Sequence, residues 1–281
     1  MDFLYINIGK IPDYFRISLE SIKISNPNSN VYLLTDDLTF KLEGIEILYL
    51  EDIIGFEAQK ILDSNYFSNE KNPLWKTSMA RVFLLKDLAK YLNIDSFIHF
   101  DNDVLIYQDY ENLKKLFDND VGLNITRNDK NMLVFGFSYS SNIKKYELIC
   151  EHLFNIFTDN ILNNSEANTP YEHNEMHLLN KIYEQTNLIS VLPSSPAQLK
   201  NKKNKKYIFD PSSYGQYLDG WHEDPGISTI SLNQSISSLF LENKIVINFK
   251  DVEPYFELND QEYFLVNLHI HSKNLSKFLQ F

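Results

Sequence analysis

The sequence predicts an α/β fold with a central mixed, mainly parallel sheet flanked by helices. Short apolar segments of strand length alternate with amphipathic segments of helix length, and a strand, a helix and a strand at this spacing form a parallel βαβ unit. The chain has 281 residues, of which 43% are hydrophobic, and this is enough to bury a sizeable core. The sequence has no internal repeat and no clear linker, so we expect one domain over residues 1–281.

The first 107 residues carry the clearest signals. A glycine closes the first apolar run, apolar residues follow at helical spacing, and Pro73 stands near the start of a long amphipathic helix. We predict a strand at 3–9, a helix at 13–25, strands at 31–37 and 44–50, a helix at 73–92 and a strand at 96–107. In a doubly wound sheet of this kind, ligands bind at the carboxyl ends of the strands.

The rest of the chain continues the mixed pattern. A stretch rich in Pro, Ser, Gly and Lys at 188–228 is interpreted as a long ordered excursion, because long loops inside compact domains are usually functional. We predict strands at 121–126 and 132–140, helices at 142–157 and 174–186, and late strands at 244–249 and 263–271.

Composition narrows the classes of function. The formal net charge is −12 and the pI is about 5.0, so we expect no nucleic-acid partner, and the basic run at 200–206 is interpreted as a solvated loop. Cys150 is the only cysteine, which excludes an intrachain disulfide and a cysteine-rich zinc site. The sequence shows no signal peptide and no transmembrane segment, so we expect a cytoplasmic protein and leave open a peripheral contact with a membrane.

Two aspartates, Asp101 and Asp103, stand inside the apolar run at 96–107. Side chains alternate along a strand, so a continuous strand would place both carboxylates on one side and Asn102 on the other. Two neighbouring carboxylates repel each other unless one is protonated or a cation lies between them, and Mn²⁺ or Mg²⁺ prefers such oxygens. The alternative is a surface turn in which both aspartates face water, as is common for so short a motif.

A second polar cluster lies in the predicted strand at 263–271. Alternation would point His269 and His271 to the same side, and histidine is a common metal ligand. A single histidine on such a strand is more often structural. Two of them followed by Lys273 and Lys277 suggest one metal ligand with a phosphate contact, and either histidine could be the ligand.

These motifs, in their order, resemble the metal-dependent, nucleotide-sugar-using glycosyltransferases of the GT-A (Rossmann-like) fold, especially families 8 and 32. The segment "ARVFLL" before "FIHFDNDVLIY" resembles the helix arginine and the D-x-D strand of that family. The resemblance implies that Arg81 contacts the sugar nucleotide and that Asp101 and Asp103 hold Mn²⁺ against its diphosphate. It places Asn102 near the ribose or the donor sugar.

Two further segments extend the resemblance. "EMHLLN" is similar to a D-Q-x-x-L-N segment beside the donor sugar, with Glu175 at the acidic position and Met176 in place of glutamine. "HSKNLSKF" is similar to an H-x-x-G-x-x-K-P-W ending in which the histidine completes the metal site and the lysine meets the phosphate. His271 and Lys277 keep that spacing, whereas Asn274 replaces glycine and Pro-Trp is missing. Residues 209–220 also resemble a segment of bacterial and viral relatives.

The resemblance implies transfer of a hexose from a nucleoside-diphosphate sugar, in particular a UDP-sugar, to a glycan or another hydroxyl acceptor, and it favours retention of configuration. Glu175 and Asp103 are then the candidates for catalysis, and the ends of the first two strands lie where the base and ribose would bind. The residues at those ends, which are also typical of simple turns, are Asn7, Ile8, Gly9, Thr35 and Asp36. Residues 1–107 would form the nucleotide-binding half, and 108–281 the acceptor-binding half with the tail that closes the metal site.

The acceptor side rests on fewer signals. Tyr214, Tyr217 and Trp221 offer aromatic faces for sugar stacking, although most such side chains belong to cores. Residues 221–228 are interpreted either as a mobile flap or as an exposed acidic loop. Two other classes stay open: a metal-dependent nucleotidyltransferase or phosphohydrolase, and a non-catalytic protein that binds nucleotide sugars.

Overall fold

The structure is a computed structural model that describes residues 1–65, 73–128, 131–162, 174–199, 206–218, 239 and 244–279. The described strands are β1 Asp2–Asn7, β2 Asn30–Thr35, β3 Glu46–Tyr49, β4 Phe97–Phe100, β5 Val104–Ile106, β6 Leu123–Arg127, β7 Leu133–Ser140, β8 Ile189–Val191, β9 Lys206–Ile208, β10 Asn248–Lys250, β11 Glu253–Leu258, β12 Gln261–Leu265 and β13 Asn267–His269. The described helices are α1 Phe15–Ser25, α2 Leu50–Ile53, α3 Phe56–Asp63, α4 Leu74–Tyr91, α5 Tyr110–Leu113, α6 Ile143–Leu162 and α7 Glu175–Gln185.

A seven-stranded sheet forms the centre of the fold, in the order β3-β2-β1-β4-β7-β6-β8. Only β7 runs against its neighbours β4 and β6, and the other adjacent pairs are parallel. The prediction of a mixed, mainly parallel sheet is therefore confirmed. Because β1, β2 and β4 are parallel, their carboxyl ends lie at one edge of the sheet, and the sequence around Asp101 begins there.

Helices cover both faces of this sheet. Along β1, Leu4 and Ile6 join a buried cluster that contains most of the apolar side chains of α4, whereas Phe3 and Tyr5 join a cluster with α1. The alternation of apolar side chains over residues 3–6 of β1, with both faces covered, is typical of a strand buried on both sides. The flanking helices predicted from helical spacing are thus confirmed.

The predicted strand at 96–107 is wrong as a single element. It divides into β4, in the central sheet, and β5, which pairs with β13 in a separate two-stranded sheet. Residues 101–103 form the turn between them, in which the backbone N–H of Val104 donates to the carbonyl of Asp101 at 3.1 Å. The chain leaves the central sheet at this turn, and β5 then pairs with the distant β13.

The predicted strand at 263–271 is also divided. Its first part is β12, in a four-stranded sheet of order β10-β11-β12-β9, and its second part is β13. Phe264 and Val266 pack in the α1 cluster, whereas Leu268 and Ile270 pack in a third cluster under the smaller sheets. The continuous alternation predicted for this segment is therefore wrong, because the chain changes sheets near Val266.

The remaining predictions fall partly outside the described residues. Of the late strand predicted at 244–249, only the last two residues are in a strand, β10. The described part of the excursion, up to residue 218, contains β8, β9 and short 3₁₀ turns. Most of the basic run, 200–205, and the predicted flap at 221–228, with Trp221, lie outside the described residues. The single domain over 1–281, with its two halves, stays a prediction. None of the helices in the described ranges combines the length and apolar character needed to cross a bilayer.

Candidate metal and substrate site

The turn at 101–103 brings two carboxylates next to an imidazole. In the antiparallel pairing of β13 with β5, His269 lies opposite Val104, directly after this turn. Its Nε2 is 3.0 Å from Oδ1 of Asp103, and one ligand atom from each of Asp101, Asp103 and His269 lies within 4.8 Å of the others. The carboxylates were predicted to meet by strand alternation, and that reason is wrong: a turn and the register of β13 bring them together.

Two cationic side chains are paired with the aspartates. Arg81, on α4, forms an ion pair with Asp101, and Lys273, after β13, forms one with Asp103. Burial raises the pKa of the Asp103 carboxyl, but the charges of His269 and Lys273 outweigh this effect and hold the pKa well below its usual range. Arg81 is thus paired within the site and not with a remote acidic residue.

The surroundings of His269 leave one ring nitrogen available. Burial lowers the pKa of this imidazole, but the Asp103 charge opposes burial and raises the pKa above its usual value. Nδ1 is buried and has no hydrogen-bond partner in the described structure. A Cβ added to Gly136, on β7, would lie 3.0 Å from this Nδ1 and 3.5 Å from Oδ2 of Asp101. Gly136 was missed from the sequence, although a glycine inside a strand can signal a close approach.

His271 occupies a different position. Its Nε2 lies 2.9 Å from the hydroxyl of Ser212, and its ring centroid is 5.0 Å from that of His269. Burial lowers the pKa of His271 to about 3, and the charge of His269 acts in the same direction. Of the two histidines left open by the sequence, His269 is the one that lies with the aspartates.

Glu175 lies at the start of α7, where the side chain of Asn174 caps the helix by accepting the N–H of His177 at 3.1 Å. The side chain of Glu175 is 4% exposed, and its Oε1 lies 3.8 Å from a guanidinium nitrogen of Arg81. Burial raises the pKa of Glu175 to about 7, although Arg81 opposes this effect. Its Oε2 is buried without a partner among the described residues. Glu175 is thus beside the cluster, and Arg81 approaches it with one guanidinium nitrogen while it contacts Asp101 with the other.

The predicted nucleotide-binding residues form a connected edge. Asn102 donates from its amide to Oδ1 of Asn7 at 2.8 Å, and Asn7 donates to the carbonyl of Gly9 at 2.6 Å. The N–H of Gly9 donates to Oδ1 of Asp36 at 2.7 Å, whereas Thr35 is fully buried. The ends of β1 and β2 are therefore linked to the aspartate turn, and Asn102 contacts β1 in this structure.

The other predicted contacts are spread more widely. Ile8 is half-buried beside the β1 edge. Lys277 is exposed at the end of a 3₁₀ turn at Leu275–Lys277, whereas Lys273 reaches Asp103. Tyr14, at the start of α1, was missed from the sequence, and the ammonium of Lys273 is 5.8 Å from the centroid of its ring. This aromatic face therefore borders the charged cluster.

Comparison with known proteins gives structural neighbours only. No protein-family model and no curated protein matches the chain. A galactosyltransferase, LgtC, solved with donor and acceptor sugar analogs, is similar with 14% identity and a TM-score of 0.46, over 80% of this chain and 81% of that one. The glycosyltransferase GlyE of Streptococcus pneumoniae TIGR4 has 14% identity and a TM-score of 0.43, over 68% of this chain and 44% of its own. Mouse xyloside xylosyltransferase 1 has 14% identity and a TM-score of 0.44, over 69% of this chain and 86% of its own. All three are glycosyltransferases.

Proposed function

We propose that this protein is a metal-dependent glycosyltransferase of the GT-A type, which transfers a sugar from a nucleoside-diphosphate sugar to a hydroxyl acceptor. One observation carries the proposal: Asp101, Asp103 and His269 gather three potential metal ligands at the carboxyl-end edge of the parallel strands. Arg81 and Lys273 add positive charge at the same place. Such an edge is where α/β sheets bind nucleotides.

The residues present fit a divalent cation. Two carboxylates and one imidazole suit Mn²⁺ better than Mg²⁺, which strongly prefers oxygen. A bound ion would stabilise the negative charge that develops on a departing nucleoside diphosphate. Arg81 and Lys273 are held by the aspartates in this structure, and both cations are therefore within the site that would receive the diphosphate.

The remaining roles follow from position. The edge formed by Asn7, Gly9 and Asp36, joined to Asn102, would receive the base and ribose of a UDP-sugar. Glu175, next to Arg81, would lie beside the donor sugar, as the sequence resemblance implies. That resemblance also supports retention of configuration, hexosyl transfer and a role in polysaccharide biosynthesis.

The test combines titration calorimetry and product analysis. We expect a panel of sugar nucleotides to reveal one that binds more tightly with Mn²⁺, and a sugar product when a glycan acceptor is added. Asp103→Ala should abolish this turnover, because the ion then has fewer ligands. The variant should keep the fold. Asp87→Ala is a matched control, since both aspartate side chains are 9% exposed and Asp87 lies elsewhere, on α4.

Several results would contradict the proposal. Full turnover in excess EDTA would exclude the metal. Hydrolysis or nucleotidyl transfer without sugar transfer would indicate the phosphohydrolase or nucleotidyltransferase class. Tight binding of a sugar nucleotide without any product would favour a binding protein. Arg81→Ala should lower the free energy of donor binding by more than it lowers the free energy of unfolding. Normal donor binding by this variant would mean that the role of Arg81 is structural.

A further inference from the structure

Asp210, just after β9, is a buried carboxylate outside the ligand cluster, and it is 1% exposed. Its two oxygens accept four backbone N–H groups. Oδ1 accepts from Ser213 at 2.6 Å and Tyr214 at 2.8 Å, and Oδ2 accepts from Gly215 and His269, both at 2.9 Å. A buried carboxylate is costly unless its oxygens are satisfied, so this arrangement fixes the loop and β13 to the same side chain.

A second set of contacts joins the backbone of Asp210 to a side chain of β13. The side chain of Asn267 accepts the N–H of Asp210 at 3.0 Å and donates to its carbonyl at 3.3 Å. Asn267 and His269 are the first and last residues of β13. Asp210 therefore contacts both ends of the strand that carries the imidazole.

Gly215 gives an independent indication of how closely the loop and β13 are packed. A Cβ added to Gly215 would overlap the backbone carbonyl of His269. The loop therefore packs directly on the backbone of His269. Ser212, in the same loop, has a φ of +63° and bonds to His271, so the loop also holds the next imidazole along the chain.

This support matters because β13 is a weak element by itself. It has three residues, and among the described strands it pairs with β5 alone, itself three residues long, in a two-stranded sheet. An isolated two-stranded pair of this length is marginally stable in water. The N–H of His269 donates to the Asp210 carboxylate, so this side chain gives the strand a hydrogen bond in addition to its pairing with β5.

We propose that Asp210 is a positioning residue that holds the backbone of His269 so that its imidazole faces Asp103. This inference rests on the proposed function, in which His269 completes the metal site. Outer groups that orient a metal ligand commonly change metal affinity by about 10- to 100-fold when removed. Asp210 would act in this way through the main chain of the ligand.

The first test is a double-mutant cycle on Mn²⁺ affinity. Asp210→Asn keeps the shape, but an NH₂ group replaces one oxygen, so two of the four backbone donors lose their acceptor. Free Mn²⁺ is measured by electron paramagnetic resonance for the wild type, Asp210→Asn, His269→Ala and the double variant. We expect Asp210→Asn to weaken binding by about tenfold, and the double variant to bind no more weakly than His269→Ala alone.

The matched control is Asp87→Asn, which changes another carboxylate, with a side chain 9% exposed, that accepts a backbone N–H from Gly55 at 2.9 Å. We expect it to lower thermal stability without changing Mn²⁺ affinity. Mn²⁺ affinity of Asp210→Asn equal to that of Asp87→Asn would overturn the proposal. The proposal would also be overturned if the fold-loss of Mn²⁺ affinity in the double variant equals the product of the fold-losses in the two single variants.

A second readout does not depend on the metal. In metal-free protein with isotopically labelled histidine, the amide proton of His269 should be protected from exchange, and Asp210→Asn should remove this protection and shift the ring signals of His269. Unchanged ring signals would overturn the proposal. If the wild type binds no Mn²⁺, the metal function fails, and these ring signals alone decide whether Asp210 positions His269. If Asp210→Asn does not fold, Asn267→Ala is measured in its place, with the same expected directions.

Discussion

Glu175→Gln should make the protein less sensitive to alkaline pH. Burial raises the pKa of Glu175 from 4.5 to about 7, with Arg81 opposing the rise. Between these two values the folded state retains a proton that the unfolded state has released. The stability associated with this group is therefore fully present below pH 4.5 and is lost as pH rises towards 7. Glutamine keeps the shape and cannot ionise, so the variant should not lose this stability as pH rises.

The expected size follows from the same pKa values. Each tenfold difference in proton affinity between the folded and unfolded states corresponds to about 1.4 kcal/mol. The rise from 4.5 to about 7 therefore gives a loss of up to about 3 kcal/mol above neutral pH. The Glu175 side chain is 4% exposed, so little solvent screening reduces this figure. The attraction to Arg81 is already contained in the pKa.

The assay is urea unfolding of the wild type and Glu175→Gln at pH 5, 6, 7 and 8. The variant should be close to the wild type at pH 5 and more stable at pH 8, by an amount that grows through the interval. Glu184→Gln, on the same helix, is the control, because its side chain is 57% exposed and should show no such trend. Parallel loss of stability by the wild type and Glu175→Gln from pH 5 to pH 8 would refute the reasoning.

Three further variants test the metal site. His269→Ala should raise the Mn²⁺ concentration needed for donor-dependent turnover by about tenfold or more. His271→Ala should not, because His271 is bonded to Ser212. Equal effects of the two variants in Mn²⁺ titrations of activity would contradict this assignment. Gly136→Ala should weaken Mn²⁺ binding, because the added methyl group lies 3.0 Å from Nδ1 of His269; a variant with lower thermal stability and unchanged Mn²⁺ affinity in calorimetry would contradict it.

The sheet and its main helices could be predicted because their signals are local. The apolar runs that became β1, β2 and β3 are bounded by turn residues, and α4 begins beside Pro73. The buried residues of α4 run almost without interruption from Ser78 to Ala89, and a segment of this length is typical of a helix rather than a strand. Arg81 could likewise be placed near the aspartates, because α4 leads directly into β4.

The divided strands could not be predicted from periodicity. Apolar residues stand on both sides of the aspartate turn, and each side is buried, so the pattern is the same for one strand as for two. The division depends on β13, which lies more than 150 residues later and pairs with β5. His271 and Lys277 match the spacing of the family ending, and from the sequence either His269 or His271 could be the ligand. The register of β13 instead brings His269 to Asp103, and the chain after it brings Lys273.

The break after Asp101 explains how one short motif can serve two sheets. The N–H of Asp101 still donates to the carbonyl of Gly136 at 3.0 Å, so this aspartate belongs to the central sheet, with Arg81 beside it. The carbonyl of Asp103 accepts the N–H of Ile270 at 2.9 Å, so this aspartate belongs to the smaller sheet. A cation between the two carboxylates would therefore join the sheets. A slip of β13 by one residue would replace His269 with an apolar neighbour, because successive side chains in a strand face opposite sides. The register of a three-residue strand thus decides whether the site has its nitrogen ligand.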